Sequence, residues 1–413
     1  MSFGVTGGLP LYGSVSLQGA KNAALPILFA TLLCREPVTL YHLPPIGDVA
    51  VAIQLLKDLG ATVERVGEAT VIDTRHATAP TLALKGAKKI RASAYLLGAS
   101  LAAFGEGRIP LPGGCDLGER PLDLHERAFL SFGATVERGD GYLGVYGKSL
   151  SYATLRFPFP SVGATVNFIL AALGAEGESR LYGYASEPHV LDLIGFLRKM
   201  GACIQTEGEC LAVRGGPLHG GAYTVISDAM EGGTYLLAAA MAGGELTVSS
   251  LLPGELSAVT LVLSSMGFDI KEKEGSIRIR SDGASHYRGA SIIAAPYPAF
   301  PTDLHPPFAA LLCGVSGEGS VTDTVWRDRF LYVEELKKMG ANVTRTGNRL
   351  TTYGTSLHGA VLRAPDLRGG AALLVAALAA RGESVIHNTA VVKRGYADIV
   401  GKLRALGAHI AEE

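Results

Sequence analysis

The sequence predicts an α/β protein assembled from six copies of one unit, about 69 residues long. Three observations predict it. Six segments end alike: LLKDLGATVE, FLSFGATVER, FLRKMGACIQ, LSSMGFDIKE, ELKKMGANVT and KLRALGAHIA. Their glycines, Gly60, Gly133, Gly201, Gly267, Gly340 and Gly407, are spaced by 73, 68, 66, 73 and 67 residues. Upstream of each lies a nearly all-apolar stretch, usually rich in Ala and Leu, and a Gly-containing turn soon follows the first five.

Each element of the unit follows from its residues. Stretches such as NAALPILFATLLC, ASAYLLGASLAAFG and GGAALLVAALAARG are apolar all round, so they read as buried helices whose small side chains allow close neighbours. A strand such as PVTLYHL or ELTVSSL comes next. The amphipathic helix after it stops at a glycine in the C′ position. A hairpin closes the unit, turning at Gly67-Glu68, Gly139-Asp140-Gly141, Gly208-Glu209, Glu274-Gly275 and Gly347-Asn348. Six such units exceed one core, so three per domain is the natural grouping. The last unit stops before its hairpin is complete, and Leu9–Lys21 resembles Leu350–Leu362, so an N-terminal strand is expected to complete it. This predicts a discontinuous domain, residues 1–20 plus 229–413, with residues 21–228 inserted and a ligand cleft between the two.

Composition narrows the function. Lys plus Arg number 37 and Asp plus Glu 38, a net charge of −1 that argues against a nucleic-acid partner. The longest apolar run, Ala371 to Ala380, is far below the ~18 residues of a membrane span. The opening MSFGVTGG lacks the basic and apolar regions of a secretory signal. Cys34, Cys115, Cys203, Cys210 and Cys313 form no CxxC pair, so neither a zinc site nor a disulfide framework is expected. A cytoplasmic protein is the expectation.

Polar residues gather where the six buried helices begin: Lys21-Asn22, Arg91-Ala92-Ser93, Ser161 to Thr165, Asp228 to Thr234, Pro301-Thr302-Asp303 and Asp366-Leu367-Arg368. Ser, Thr, Asn and Asp there are ordinary N-caps. Lys21, Arg91 and Arg368 are cations at positive helix ends, which a bound anion would explain. LPGGCDLGERPLDLH (111–125) is dense in Gly and Pro and reads as a loop carrying Cys115, with Arg120 and His125 near enough to modulate its ionisation. The other four cysteines read as core or strand residues.

These residues carry a resemblance. GAKNAALPIL (19–28), LPGGCDLGERPLDLH (111–125), SVGAT (161–165), APYPAFPTDLH (295–305), PDLRGGAAL (365–373) and KRGY (393–396) resemble the bacterial UDP-N-acetylglucosamine 1-carboxyvinyltransferases, from about residue 4 to the C-terminus. The resemblance implies a two-domain inside-out α/β barrel with sixfold repeats. It implies transfer of the enolpyruvyl group of phosphoenolpyruvate to the 3′-hydroxyl of UDP-N-acetylglucosamine with release of phosphate, opening peptidoglycan synthesis. Lys21, Arg120 and Arg394 match the phosphoenolpyruvate-binding positions, Cys115 the general acid and fosfomycin target, and Asp303 the base. The sugar nucleotide is then expected at Asn22, Arg91, Arg120, Pro121, Leu122, Asp123, Leu124, Ser161, Val162, Gly163 and Val325, with Asp366 and Arg368 at active-site positions. No metal or organic cofactor is called for.

The chain also departs from the pattern. ENRF reads Arg327-Asp328-Arg329-Phe330, Asp-Arg-Ile-Glu reads Asp228-Ala229-Met230-Glu231, and HIDRGYE reads Val391 to Ala397. Phe159 stands where some members have lysine, and PTDLQ ends in His305. The catalytic set is intact, so reaction type is firmer than acceptor. A different acceptor, or a silent UDP-sugar-binding paralogue, are the alternatives. Cys115 argues against the shikimate-pathway relative, which lacks the Cys loop.

Overall fold

Every one of the six recurrent glycines ends a helix in the left-handed region, with φ between +79° and +108°. A side chain is strained there, and glycine is not. The computed structural model describes residues 1–80, 84, 86–111 and 121–413. After each glycine comes a strand: Thr62–Val66, Thr135–Gly139, Cys203–Glu207, Asp269–Lys273, Asn342–Thr346 and His409–Glu412. The first five turn back as antiparallel hairpins through Gly67, Gly141, Gly208, Gly275 and Gly347, at φ of +55° to +73°.

Each hairpin belongs to a small open sheet. Ser291–Ala294 runs parallel to Glu318–Asp323, which pairs antiparallel with Arg349–Tyr353, itself antiparallel to Asn342–Thr346. Five four-stranded sheets share this order, and a sixth has three strands, Glu106–Pro110, Tyr142–Tyr146 and Thr135–Gly139. Among the described residues none of these sheets closes on itself.

The last sheet takes its third strand from the N-terminus. Ser2–Thr6 pairs antiparallel with Glu383–His387 on one side and His409–Glu412 on the other. Phe3 and Val5 point into the core. The completing strand thus lies upstream of Leu9–Lys21, whose likeness to Leu350–Leu362 pointed to it. Leu11–Ser16 instead runs parallel to Gly244–Ser249 in a neighbouring sheet. An alternating apolar pattern fits either register, so similarity alone could not choose.

Met1–Gln18 with Ser227–Glu413 form one compact unit, and the described residues between Gly19 and Ile226 form the other. In the first, the buried helices Ala229–Ala242, His305–Gly314 and Leu367–Ala379 pack on one another. Amphipathic helices Ser257–Met266, Val333–Lys338 and Ile399–Ala405 accompany them. In the second, Tyr95–Phe104 packs against both Lys21–Ala30 and Val162–Leu173. Gly98 makes that approach possible: a Cβ there would stand 2.8 Å from the carbonyl oxygen of Asn167. No described helix is long and apolar enough to cross a membrane.

Candidate active site

The expected site residues fall into two groups, one per unit. In the unit between Gly19 and Ile226, Lys21 opens the helix Lys21–Ala30, with Asn22 following, both partly exposed. Lys21 Nζ lies 3.7 Å from Asp48 Oδ2. Arg91 opens a 3₁₀ turn leading into Tyr95–Phe104, and Asp123 opens the helix Asp123–Ser131 after Pro121 and the buried Leu122. Ser161 caps Val162–Leu173, its Oγ accepting from Ala164 N at 3.4 Å.

His125 and Asn167 tie three of these segments together. Asn167 Oδ1 accepts from Gly98 N and its Nδ2 donates to Ala94 O, both at 3.0 Å. Those backbone partners fix which end of the amide is which. The Nδ2 atom 2.7 Å from His125 Nδ1 is therefore the donor, and the ring hydrogen sits on Nε2. Burial, with the Arg91 charge adding to it, pushes the His125 pKa down to about 3, so the ring is neutral. Its Nε2 edge faces Gly163, where a Cβ would come within 2.8 Å of the ring. Gly163 lets the imidazole sit against the helix start. The Arg91 turn, the Asp123–Leu124 start and the Ser161–Gly163 start thus share one buried anchor, which the sequence reading had assigned no binding role.

The other unit gathers Asp303, Arg368 and two residues quoted in the motifs without a role, Arg329 and Tyr396. Arg329 donates to Asp303 Oδ1 at 2.7 Å, and Arg368 donates to Oδ2 at 2.9 and 3.2 Å. Arg368 also donates to Tyr396 Oη at 3.0 Å. Thr234 donates to Met230 O, so it accepts the Tyr396 hydroxyl at 2.8 Å. Burial alone would lower the Arg368 pKa, but the Asp303 carboxylate outweighs it and holds the guanidinium above its usual range. Asp366 caps Leu367–Ala379 through bonds from Arg368 N and Gly369 N, each 2.9 Å. Arg368 therefore has a protein counter-ion, and its place at a helix start needs no bound anion to explain it.

Arg394 ends the 3₁₀ turn Thr389–Arg394. Gln18 braces the residues after it, donating to Gly395 O at 2.7 Å and accepting from Ala397 N at 2.9 Å. Gln18 N donates to the buried Glu231, which Lys402 neutralises at 2.7 Å. Val325 is held through its N–H, which donates to Asp323 Oδ1 at 2.7 Å. Cys115 and Arg120 lie outside the described residues. Of the other cysteines, Cys34 and Cys313 are buried and their thiols are pushed up to about 12, whereas Cys203 is exposed on its strand. No group of three or more His, Cys, Asp or Glu side chains among the described residues could hold a metal ion.

A profile of the family described as EPSP synthase (3-phosphoshikimate 1-carboxyvinyltransferase) matches residues 5–403. A UDP-N-acetylglucosamine 1-carboxyvinyltransferase of Clostridium botulinum is 41% identical over 411 residues, 98% of each chain. The chain belongs to the UDP-N-acetylglucosamine 1-carboxyvinyltransferase family, within the wider EPSP synthase family. A second member of the UDP-N-acetylglucosamine 1-carboxyvinyltransferases, from Nitratidesulfovibrio vulgaris, is 41% identical over 409 residues, 98% of each chain. Among solved structures, the enolpyruvyl transferase NikO from Streptomyces tendae matches with a TM-score of 0.90 at 26% identity, covering 99% of this chain and 98% of that one. An EPSP synthase from Acinetobacter baumannii shares the fold, with a TM-score of 0.78 at 20% identity over the full length of both.

Proposed function

We propose that the protein transfers the enolpyruvyl group of phosphoenolpyruvate to the 3′-hydroxyl of UDP-N-acetylglucosamine, releasing phosphate, in the first committed step of peptidoglycan synthesis. The structural observation that carries the reading is the anchoring of Asp303. Its side chain keeps 22% of its exposure while two guanidinium groups, 7% and 4% exposed, hold both oxygens. Glu178 also meets two guanidinium groups, but those are 53% and 63% exposed, whereas the pair at Asp303 is buried. The Asp303 carboxylate can orient a hydroxyl and take its proton.

The reaction divides among the residues as follows. Lys21, Arg120 and Arg394 neutralise the phosphate and carboxylate of phosphoenolpyruvate. Cys115 gives a proton to C3, the 3′-oxygen bonds to C2, and Asp303 accepts the hydroxyl proton. The resulting tetrahedral adduct loses a proton from C3 and phosphate from C2, restoring the double bond on the new ether. Asn22, Arg91, the segment Pro121–Leu124, Ser161–Gly163 and Val325 hold the sugar nucleotide, with Asp366 and Arg368 completing the surroundings of Asp303. The recurrence of one sheet order in five four-stranded sheets, with a three-stranded sixth, supports an inside-out barrel of three units per domain. Both substrates are cytoplasmic metabolites, and the reading places the enzyme there.

The departures from the family pattern at Phe159, Ala229, Arg327, Asp328, His305 and Ala397 support a second acceptor class. One assay tests both readings. Phosphate release from phosphoenolpyruvate is expected with UDP-N-acetylglucosamine and not without an acceptor. Release only with another hydroxyl compound favours the second reading, and binding without any release favours a silent paralogue. Fosfomycin is expected to inactivate the wild type by alkylating Cys115. Cys115→Ser should escape the label, and Cys115→Asp should keep turnover without sensitivity, because a carboxylic acid donates a proton but attacks an epoxide poorly. Label on Cys203 with Cys115 untouched would remove Cys115 from the site.

A further inference from the structure

His305 is a buried histidine that the reaction does not use, at the first position of the helix His305–Gly314. Its side chain and that of Asp323 are both 0% exposed, with Nε2 and Oδ2 3.0 Å apart. A carboxylate only accepts, so beside Asp323 the ring hydrogen belongs on Nε2, although the contact falls short of hydrogen-bond geometry. The Tyr332 hydroxyl, 3.4 Å from Nδ1, then donates to the ring. Asp323 is the hub of the surrounding contacts. Its Oδ1 accepts from Val325 N at 2.7 Å and Trp326 N at 2.9 Å, and its Oδ2 accepts from the Thr302 hydroxyl at 2.6 Å. Thr302 Oγ1 in turn accepts from Arg329 at 3.1 Å, and the same guanidinium nitrogen holds Asp303.

From these contacts we infer that His305 is a positioning residue for the acceptor: through Asp323 it sets the turn bearing Val325 and the Thr302–Arg329 pair that grips Asp303. The inference rests on the enolpyruvyl-transfer reading. Four groups face the ring: Asp323, Arg329, Asp303 and Tyr332. Burial lowers its proton affinity more than Asp323 raises it, so the ring is neutral near neutral pH. Burial would raise the Asp323 pKa, but His305, Thr302 and backbone N–H groups hold it below the usual range. An acid-side proton on His305 would put a new charge at the hub. A glutamine could make both contacts without titrating.

The chain's sole tryptophan, Trp326, sits in the turn that Asp323 holds, so its emission reports the turn without substrate. His305→Gln, His305→Leu and Asp323→Asn are compared with wild type by Trp326 emission, by KM and kcat for UDP-N-acetylglucosamine, and by the pH profile of kcat. His305→Gln should keep the emission and an acceptor KM within about twofold, and should hold its kcat to lower pH. His305→Leu and Asp323→Asn should shift the emission and raise the acceptor KM by ~10-fold, the effect of losing one buried polar contact, with the phosphoenolpyruvate KM unmoved. A merely structural role would lower melting temperatures alone and leave KM and the pH profile in place. If His305→Leu does not fold, the glutamine and Asp323→Asn variants still decide. A folded Asp323→Asn with wild-type emission and acceptor KM overturns the inference, as does a glutamine variant that raises KM like a leucine. If wild type turns over no substrate but the emission pattern holds, the functional reading has failed and the positioning has not.

Discussion

At the scale of single residues, burial decides which groups can titrate. His125 has an unfolded pKa near 6.5 and a folded value of about 3. Between those values the unfolded chain binds a proton that the folded chain refuses, so stability rises with pH through this window. The contribution is complete above about pH 6.5 and is lost as pH falls toward 3, amounting to about 2 kcal/mol by pH 5. His125→Gln should therefore flatten the fall in melting temperature between pH 7 and 5, though it lowers the value at pH 7. A slope identical to wild type would show that His125 is not the group responsible. The same refusal of charge makes Cys34 and Cys313 poor nucleophiles, because only the thiolate reacts.

At the scale of elements, two glycines separate two causes. Gly133 ends a helix at φ +79° with open space where a Cβ would go. Gly133→Ala should cost about 1 kcal/mol, from backbone strain alone. Gly98 has ordinary helical geometry, but its Cβ would meet Asn167 of the facing helix. Gly98→Ala should cost about 1–3 kcal/mol by forcing those helices apart, and should loosen the anchor shared by His125. Urea denaturation of both variants checks the order, and equal losses would contradict it. The contrast also marks what sequence can tell. Gly133 was legible because its conformation is dictated locally, by the helix before it and the strand after it. Gly98 and the Asp303 grip were not, since Asn167 is 69 residues from Gly98, and Arg329 and Arg368 are 26 and 65 residues from Asp303. Arg329 and Tyr396 stood inside quoted motifs, yet nothing local says which carboxylate or hydroxyl a guanidinium will meet. Asp366 and Ser161 were readable as caps for the opposite reason: their partners lie two or three residues away.

For the whole molecule, each of the two units has its own buried helices and sheets, and the chain passes between them near Gln18 and Ile226. Calorimetric unfolding should depart from a single two-state transition. Removing residues 1–7 takes out a strand that is hydrogen-bonded on both sides in the sheet of the last repeat. One transition should then fall by at least about 10 °C, because each kcal/mol is worth about 2–4 °C in a unit of this size. The other should stay in place, since the unit between Gly19 and Ile226 takes no strand from this segment. A parallel fall of both transitions would mean that the units do not unfold independently.

The position of Ser2–Thr6 also sets an order of events during synthesis. These residues leave the ribosome long before their partners, Glu383–His387 and His409–Glu412, which follow them far along the chain. At about 5–20 residues per second the opening segment waits roughly 20–80 s with both backbone edges unmatched. The unit between Gly19 and Ile226 can finish folding in that interval, while Phe3 and Val5 have no core to enter. A nascent chain halted near residue 370 should hold one folded unit and a protease-sensitive N-terminus, and the sensitivity should vanish once the final strand emerges.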